Sequence, residues 1–198
     1  NTTNNIEVIK GKIMKAKHTR THGSFAATLL VATLLATAIT HAGFAADDQS
    51  ATWSQKIITP AFALKAAEAA KAECGKHGWP VTVAVTDPSG LPIVVLRDRL
   101  AGWHTFEVAI GKARTAGRWR SPTSAVAANV TKPDAAEKAI LNQPGVVMIG
   151  GGIPIEAGGS MVGAIGVSGA PGGANDDICG KAGIAAIESY LSFSSRSL

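Results

Sequence analysis

The sequence lacks most of the signals that would name its chemistry outright. Aromatic residues make up 5% of it, with one tyrosine, and it has two cysteines. No Cys-x-x-Cys pair occurs, which argues against a zinc site or a thiol-redox motif. No Cys-x-x-Cys-His occurs either, which excludes covalent attachment of a c-type heme. The Gly-Lys pairs Gly111-Lys112 and Gly180-Lys181 are both followed by alanine, so neither supplies the hydroxyl of a phosphate loop. Gly166-Val167-Ser168-Gly169-Ala170 fails a serine nucleophile elbow at its fifth position. The Gly-x-Gly-x-x-Gly spacing of a dinucleotide site is missing as well.

A long apolar run is also lacking. Phe25 to Ile39 spans 15 residues, broken by Thr28, Thr33 and Thr37, against roughly 20 for a membrane helix. It follows a basic stretch holding Lys15, Lys17 and Arg20, and precedes the small residues Gly43 and Ala45. That three-part pattern predicts a secretory signal over 14–45, cleaved after Ala45, with Ala42 as the alternative, and no stable membrane anchor. Residues 1–13 then read as an upstream segment. The expected location is periplasmic or secreted.

The leader also carries most of the basic excess. Five of the 19 basic residues and one of the 14 acidic residues precede Ala46, which leaves 14 against 13, a net charge of +1. The overall pI near 9.4 therefore gives no support to nucleic-acid binding. The remainder suits one domain over 59–195, preceded by a flexible arm over 46–58.

What is abundant is glycine, and 11 of its 22 occurrences fall between Gly145 and Gly173. Apolar runs alternate there with turn signals. Val146–Ile149 and Ile153–Ile155 predict strands, and Ser160–Ser168 predicts another after the turn Ala157-Gly158-Gly159. Gly163 and Gly166 inside a strand signal a close approach by a helix, a subunit or a flat ligand. Upstream, Thr59-Pro60 predicts a capped helix to about Lys76, with an alanine face ending at Cys74. Val81–Thr86 and Ile93–Arg97 predict a hairpin. Thr105 to about Arg118 predicts a second helix, with Phe106, Ala109, Ile110, Ala113 and Gly117 buried. Residues 121–131 read as a linker and Lys132 to Asn142 as a short helix. The last helix is expected over Ile178–Leu191, capped by Asn175-Asp176-Asp177. The sum is an α+β domain: a five-stranded, mainly antiparallel sheet with helices on both faces. If the first and last helices pack antiparallel, Cys74 and Cys179 meet in a disulfide.

Two histidines, His77 and His104, lie beyond the leader. His77, at a helix exit, reads as structural. His104 opens the second helix, whose exposed face is expected to carry Lys112, Arg114 and Arg118. A porphyrin needs an axial ligand, an apolar surface and cations for its propionates. His104, the rings of Trp103 and Phe106, Lys112 and Arg114 could supply them. A solvated basic helix with a capping histidine accounts for the same residues.

Further motifs resemble a known family. They are Gly150-Gly151-Gly152-Ile153-Pro154-Ile155, Val162 to Gly169, Asp176-Asp177 with Ala182-Gly183, Ala101-Gly102-x-His104-Thr105 and Lys112-Ala113-x-Thr115-Ala116. Together they are similar to the GlcG/HbpS-like heme-binding family, which includes the C-terminal domain of PduO. The resemblance covers about Thr59 to Tyr190. It implies a profilin-like sandwich that forms a homo-oligomer and binds heme non-covalently, for sequestration, storage or sensing, with a sensor or transport partner. Thr as well as His serves as heme ligand in the family, so Thr105 and Thr115 join His104 as candidates for the iron. The alternatives are an enzyme acting on heme or on glycolate, and an interaction module without ligand. No catalytic residue is assigned.

Overall fold

In the computed structural model, residues 51–193 are described. The leader, its cleavage position and residues 1–13 lie outside them. The elements, in chain order, are α1 (Pro60–Lys76), β1 (Thr82–Thr86), β2 (Pro92–Arg97), α2 (Thr105–Trp119), α3 (Thr123–Val130), a 3₁₀ turn (Ala136–Asn142), β3 (Gly152–Ala157), β4 (Ser160–Ser168), α4 (Gly173–Ala185) and α5 (Glu188–Phe193). The α+β class holds, with helices on both faces of an antiparallel sheet ordered β2-β1-β4-β3.

The sheet has four strands, not five. The expected strand Val146–Ile149 is a loop laid against α2. The Val147 N–H, which a strand would need for its ladder, donates instead to Thr115 Oγ1 at 2.9 Å. Its side chain fills the space above Gly111, where a Cβ would come within 2.5 Å of Val147 Cγ2. The β3–β4 hairpin turns at Gly158 and Gly159, both at positive φ (55° and 76°), as a tight twisted hairpin requires.

β1 is central and buried over all five residues. Ala63, Ala66, Ala67, Ala70 and Cys74 of α1 are buried as expected. They join Val83, Val85, Ile165 and Val167 in the main core. Thr59 takes the N-cap position, but its hydroxyl makes no cap bond. On the opposite face α2 packs Ala109 and Ile110 on Ala84, and Ala113 and Ala116 on Ala164. Gly166 is what admits α2 so closely. A Cβ there would strike the carbonyl oxygen of Ala109. Gly183 plays the same part between α4 and α1, where a Cβ would sit 2.6 Å from Ala66 O. These contacts identify the close approach at Gly166 as a helix.

The Cys74–Cys179 disulfide forms as expected, with Cα atoms 5.5 Å apart. Residues 121–131 are not a linker. α3 occupies most of them and begins directly after Pro122. The final helix starts earlier than expected and is split, α4 ending at Ala185 and α5 beginning at Glu188. The end of the arm is held rather than free. Ile58 is buried, and its N–H donates to Val162 O at 2.9 Å.

Candidate functional site

The five candidate residues, all on or beside α2, separate by burial. Three of them are inside the protein. Lys112 was expected on the exposed face, but its side chain is 2% exposed. Glycine 166 brings α2 onto the sheet, and the lysine stem then runs between the end of β4 and the start of α4. There Nζ donates to Val167 O at 3.0 Å and to Asp176 Oδ2 at 2.7 Å. Thr115 is buried and accepts from Val147 N. Thr105 is buried and bonded to Thr82 and Gly102. None of the three presents its polar atoms to a ligand at the surface.

Lys112 belongs to a polar junction that also takes in Asp176, Asp177 and Thr123. Asp176 Oδ1 accepts the Ala170 N–H at 3.0 Å. Asp177 Oδ1 accepts the Gly151 N–H at 2.5 Å. Thr123 donates to Ile149 O at 2.7 Å and accepts from Gly152 N at 2.9 Å. The two aspartates thus do not cap from outside; they sit inside α4, Asp176 in its first turn and Asp177 just after it, and tie the helix to neighbouring backbone. Burial pushes the Asp176 carboxyl above its ordinary range, while the Lys112 ammonium and the Ala170 N–H pull it back. Apart from the Ala170–Asp176 bond, each lies between segments at least 26 residues apart, so no local spacing could have announced the junction.

At the start of α2 the chain exposes apolar surface. Leu100 is 66% exposed, Trp103 85% and Phe106 40%. Phe106 was expected in the buried stripe; it stands at the rim instead. His104 occupies the N-cap position of α2 with helical backbone angles, and makes no capping hydrogen bond. Its ring meets Trp103 edge-on, centroids 5.9 Å apart. The loop beneath is braced. Asp98 Oδ1 accepts the Leu100 N–H at 2.9 Å, and Arg97 Nη2 donates to Ala101 O at 2.5 Å. The Leu100 N–H, followed by Lys71, holds the Asp98 carboxyl below its ordinary range.

Arg114 is half-buried, and its Nε donates to Gly90 O at 3.2 Å. It lies ten residues beyond His104, about 15 Å along a helix. His77 stacks on Trp79 with centroids 4.4 Å apart and lies 3.8 Å from Glu73, which fits the structural role expected of it. A groove of about 650 Å³ lies elsewhere, between β3, α4 and α5, and contains none of the five candidates. No group of three or more His, Cys, Asp or Glu side chains suited to a metal ion occurs among the described residues.

An exposed imidazole beside exposed ring surface is a donor set that fits heme. Comparison with known proteins points the same way. The family model described as "Haem degrading protein HbpS-like" matches residues 58–185. The chain belongs to the HbpS-like family. A double mutant of HbpS from Streptomyces reticuli superposes with a TM-score of 0.64 at 37% identity, over 68% of this chain and 89% of that one. The PduOC:heme complex superposes with a TM-score of 0.61 at 28% identity, over 66% of this chain and 95% of that one. ORFY of Klebsiella pneumoniae shares the fold at 21% identity, TM-score 0.66, over 71% of this chain and 97% of that one. An uncharacterised 15.0 kDa protein encoded between dhaT and dhaS in Citrobacter freundii is 33% identical over 120 residues, 59% of this chain and 84% of that one. The HbpS-like match begins at Ile58, the residue at which the arm joins the folded body.

Proposed function

We propose that this HbpS-like protein binds heme non-covalently on the ledge of Leu100, Trp103, His104 and Phe106. The observation that carries the reading is the 85% exposure of Trp103 beside an imidazole that makes no capping bond. A large indole left in water is unfavourable by about 2 kcal/mol or more relative to burial, and exposed apolar side chains gathered on one short loop and helix start favour a binding site. In this reading His104 ligates the iron and the ring surface packs against the macrocycle. Arg99, exposed on the same loop, and Arg114 supply cations for carboxylates. Thr105, Thr115 and Lys112 keep internal roles. Bound heme supplies iron-centred redox chemistry.

Titrating the purified protein with hemin and following the Soret band tests this. A saturable shift that is lost in His104→Ala supports the site. A shift unchanged in both His104→Ala and Trp103→Ala removes the site, and no saturable shift removes the function.

The family description favours a second reading, in which bound heme is degraded. Hemin-loaded protein, given ascorbate in air, should then lose its Soret band faster than free hemin under the same conditions. Export is part of the proposal too. The Cys74–Cys179 bridge supports it, because disulfides persist in oxidising compartments. A homo-oligomer is supported by Leu91, Leu100 and Ile149, each more than half exposed; light scattering measures it.

A further inference from the structure

The ledge stands on a buried pair of hydroxyls. Thr105 Oγ1 lies 2.6 Å from Gly102 O and 2.7 Å from Thr82 Oγ1. Both threonines are buried, at 2% and 0% exposure. A hydroxyl carries one hydrogen. Thr105 uses its own on the Gly102 carbonyl, so Thr82 is the donor in the second bond. The result is a directed chain from the central strand β1 through Thr105 to the backbone of Gly102, two residues before the imidazole. The Thr105 N–H adds a second bond to the same carbonyl, at 3.0 Å.

Gly102 is fixed from above as well. A Cβ on it would lie 2.7 Å from His104 Cε1 and 3.0 Å from Nδ1. The imidazole therefore lies directly over the Gly102 backbone, in space open to it because residue 102 has no side chain. Thr82 is on β1, which is buried between β2 and β4. It is the rigid end of the chain, and His104 is the exposed end.

We infer that Thr105 is the positioning residue of the ledge: its hydroxyl, anchored by Thr82, sets where the His104 ring stands over Gly102 and beside Trp103. Its importance for ligation rests on the heme reading above, whereas its geometry does not. A threonine in this place acts through the histidine and not on the iron.

The test pairs a ligand-free readout with a ligand-bound one. In the free protein, the His104 ring resonances carry the ring-current shift of Trp103. Thr105→Val keeps the volume and removes the hydroxyl; Thr105→Ser restores it. The expected result is that the His104 signals move in Thr105→Val and return in Thr105→Ser. Gly102→Ala, which displaces a side chain rather than backbone, should move them too. With hemin, Thr105→Val should weaken binding about tenfold, the worth of one good hydrogen bond, and shift the Soret maximum, with Thr105→Ser near wild type. Unmoved His104 signals in folded Thr105→Val overturn the positioning role, whatever hemin does. A lowered melting temperature with unchanged His104 signals and Soret maximum also overturns it, leaving Thr105 purely structural. Moved and rescued signals in a wild type that takes up no hemin uphold the geometry and remove the heme reading alone.

Discussion

The middle and the start of α2 invert the usual placement of side chains. Toward its middle, Lys112 and Thr115 are buried and bonded to Asp176, Val167 and Val147. At its start, Leu100, Trp103 and Phe106 are left in solvent around His104. The buried middle spends polar groups on joining three segments that have little apolar surface to offer each other, since Gly150, Gly151, Gly152 and Gly173 meet there. The exposed start retains apolar area that folding alone gives no reason to leave open. The first arrangement is what holds the domain's edge together; the second is what a ligand would complete. Stability and binding should therefore be separable by mutation along a single helix.

The largest effect is expected from breaking the buried pair. Asp176→Ala leaves the Lys112 ammonium buried without its carboxylate, which costs about 3–5 kcal/mol. Urea denaturation should show that loss, while the fraction that stays folded takes up hemin as wild type does. A loss of hemin uptake in that folded fraction would mean that the two regions are not independent.

The disulfide comes next. It joins α1 to α4 across 105 residues, and its removal in the Cys74→Ser, Cys179→Ser pair should cost about 2–5 kcal/mol. Thermal melting measures it. The ledge contacts neither cysteine, so the Soret spectrum of the hemin-loaded variant should stay in place.

The converse holds at the ledge. Trp103→Ala and His104→Ala should change stability by no more than about 0.5 kcal/mol, as exposed substitutions do. Hemin affinity should fall at least about tenfold in each, some 1.4 kcal/mol. If Trp103→Ala is as destabilising as Asp176→Ala, the indole is a structural group and the contrast between the two regions collapses.

What could be read in advance follows the same division. The alanine face of α1, the β1–β2 hairpin and the Gly158-Gly159 turn are local patterns, and they appeared where their periodicity placed them. Val146–Ile149 has strand composition, yet it forms a loop because Thr115 takes its amide and Gly111 takes its side chain. Residues 121–131 look like a linker, and become α3 because Thr123 finds Ile149 and Gly152. Lys112 reads as a surface cation on helical spacing alone. Its partner Asp176 lies 64 residues away, and only the close approach permitted by Gly166 brings them together. Trp103 and His104 are exposed on a short loop and a helix start, while the Thr82–Thr105 bond beneath them, across 23 residues, left no local signal.

The smallest effect concerns acidity, and it separates the two regions by sign. Asp98, beneath the ledge, has its carboxyl lowered, first by the Leu100 N–H and then by Lys71. Its contribution is fully present above the ordinary carboxylate value and is lost as pH falls through the lowered one. Asp176, in the buried junction, has its carboxyl raised, first by burial. The folded protein then holds that proton where the unfolded chain has released it. Its contribution is present below the ordinary carboxylate value and declines as pH rises through the raised one. Melting temperature measured from pH 3 to 7 should thus respond oppositely to two isosteric changes. Asp98→Asn should flatten the rise in stability on leaving acid. Asp176→Asn should make that rise steeper, because the opposing contribution is gone. Equal slopes in the two variants would show that neither carboxyl is shifted by its surroundings in the way its bonds imply.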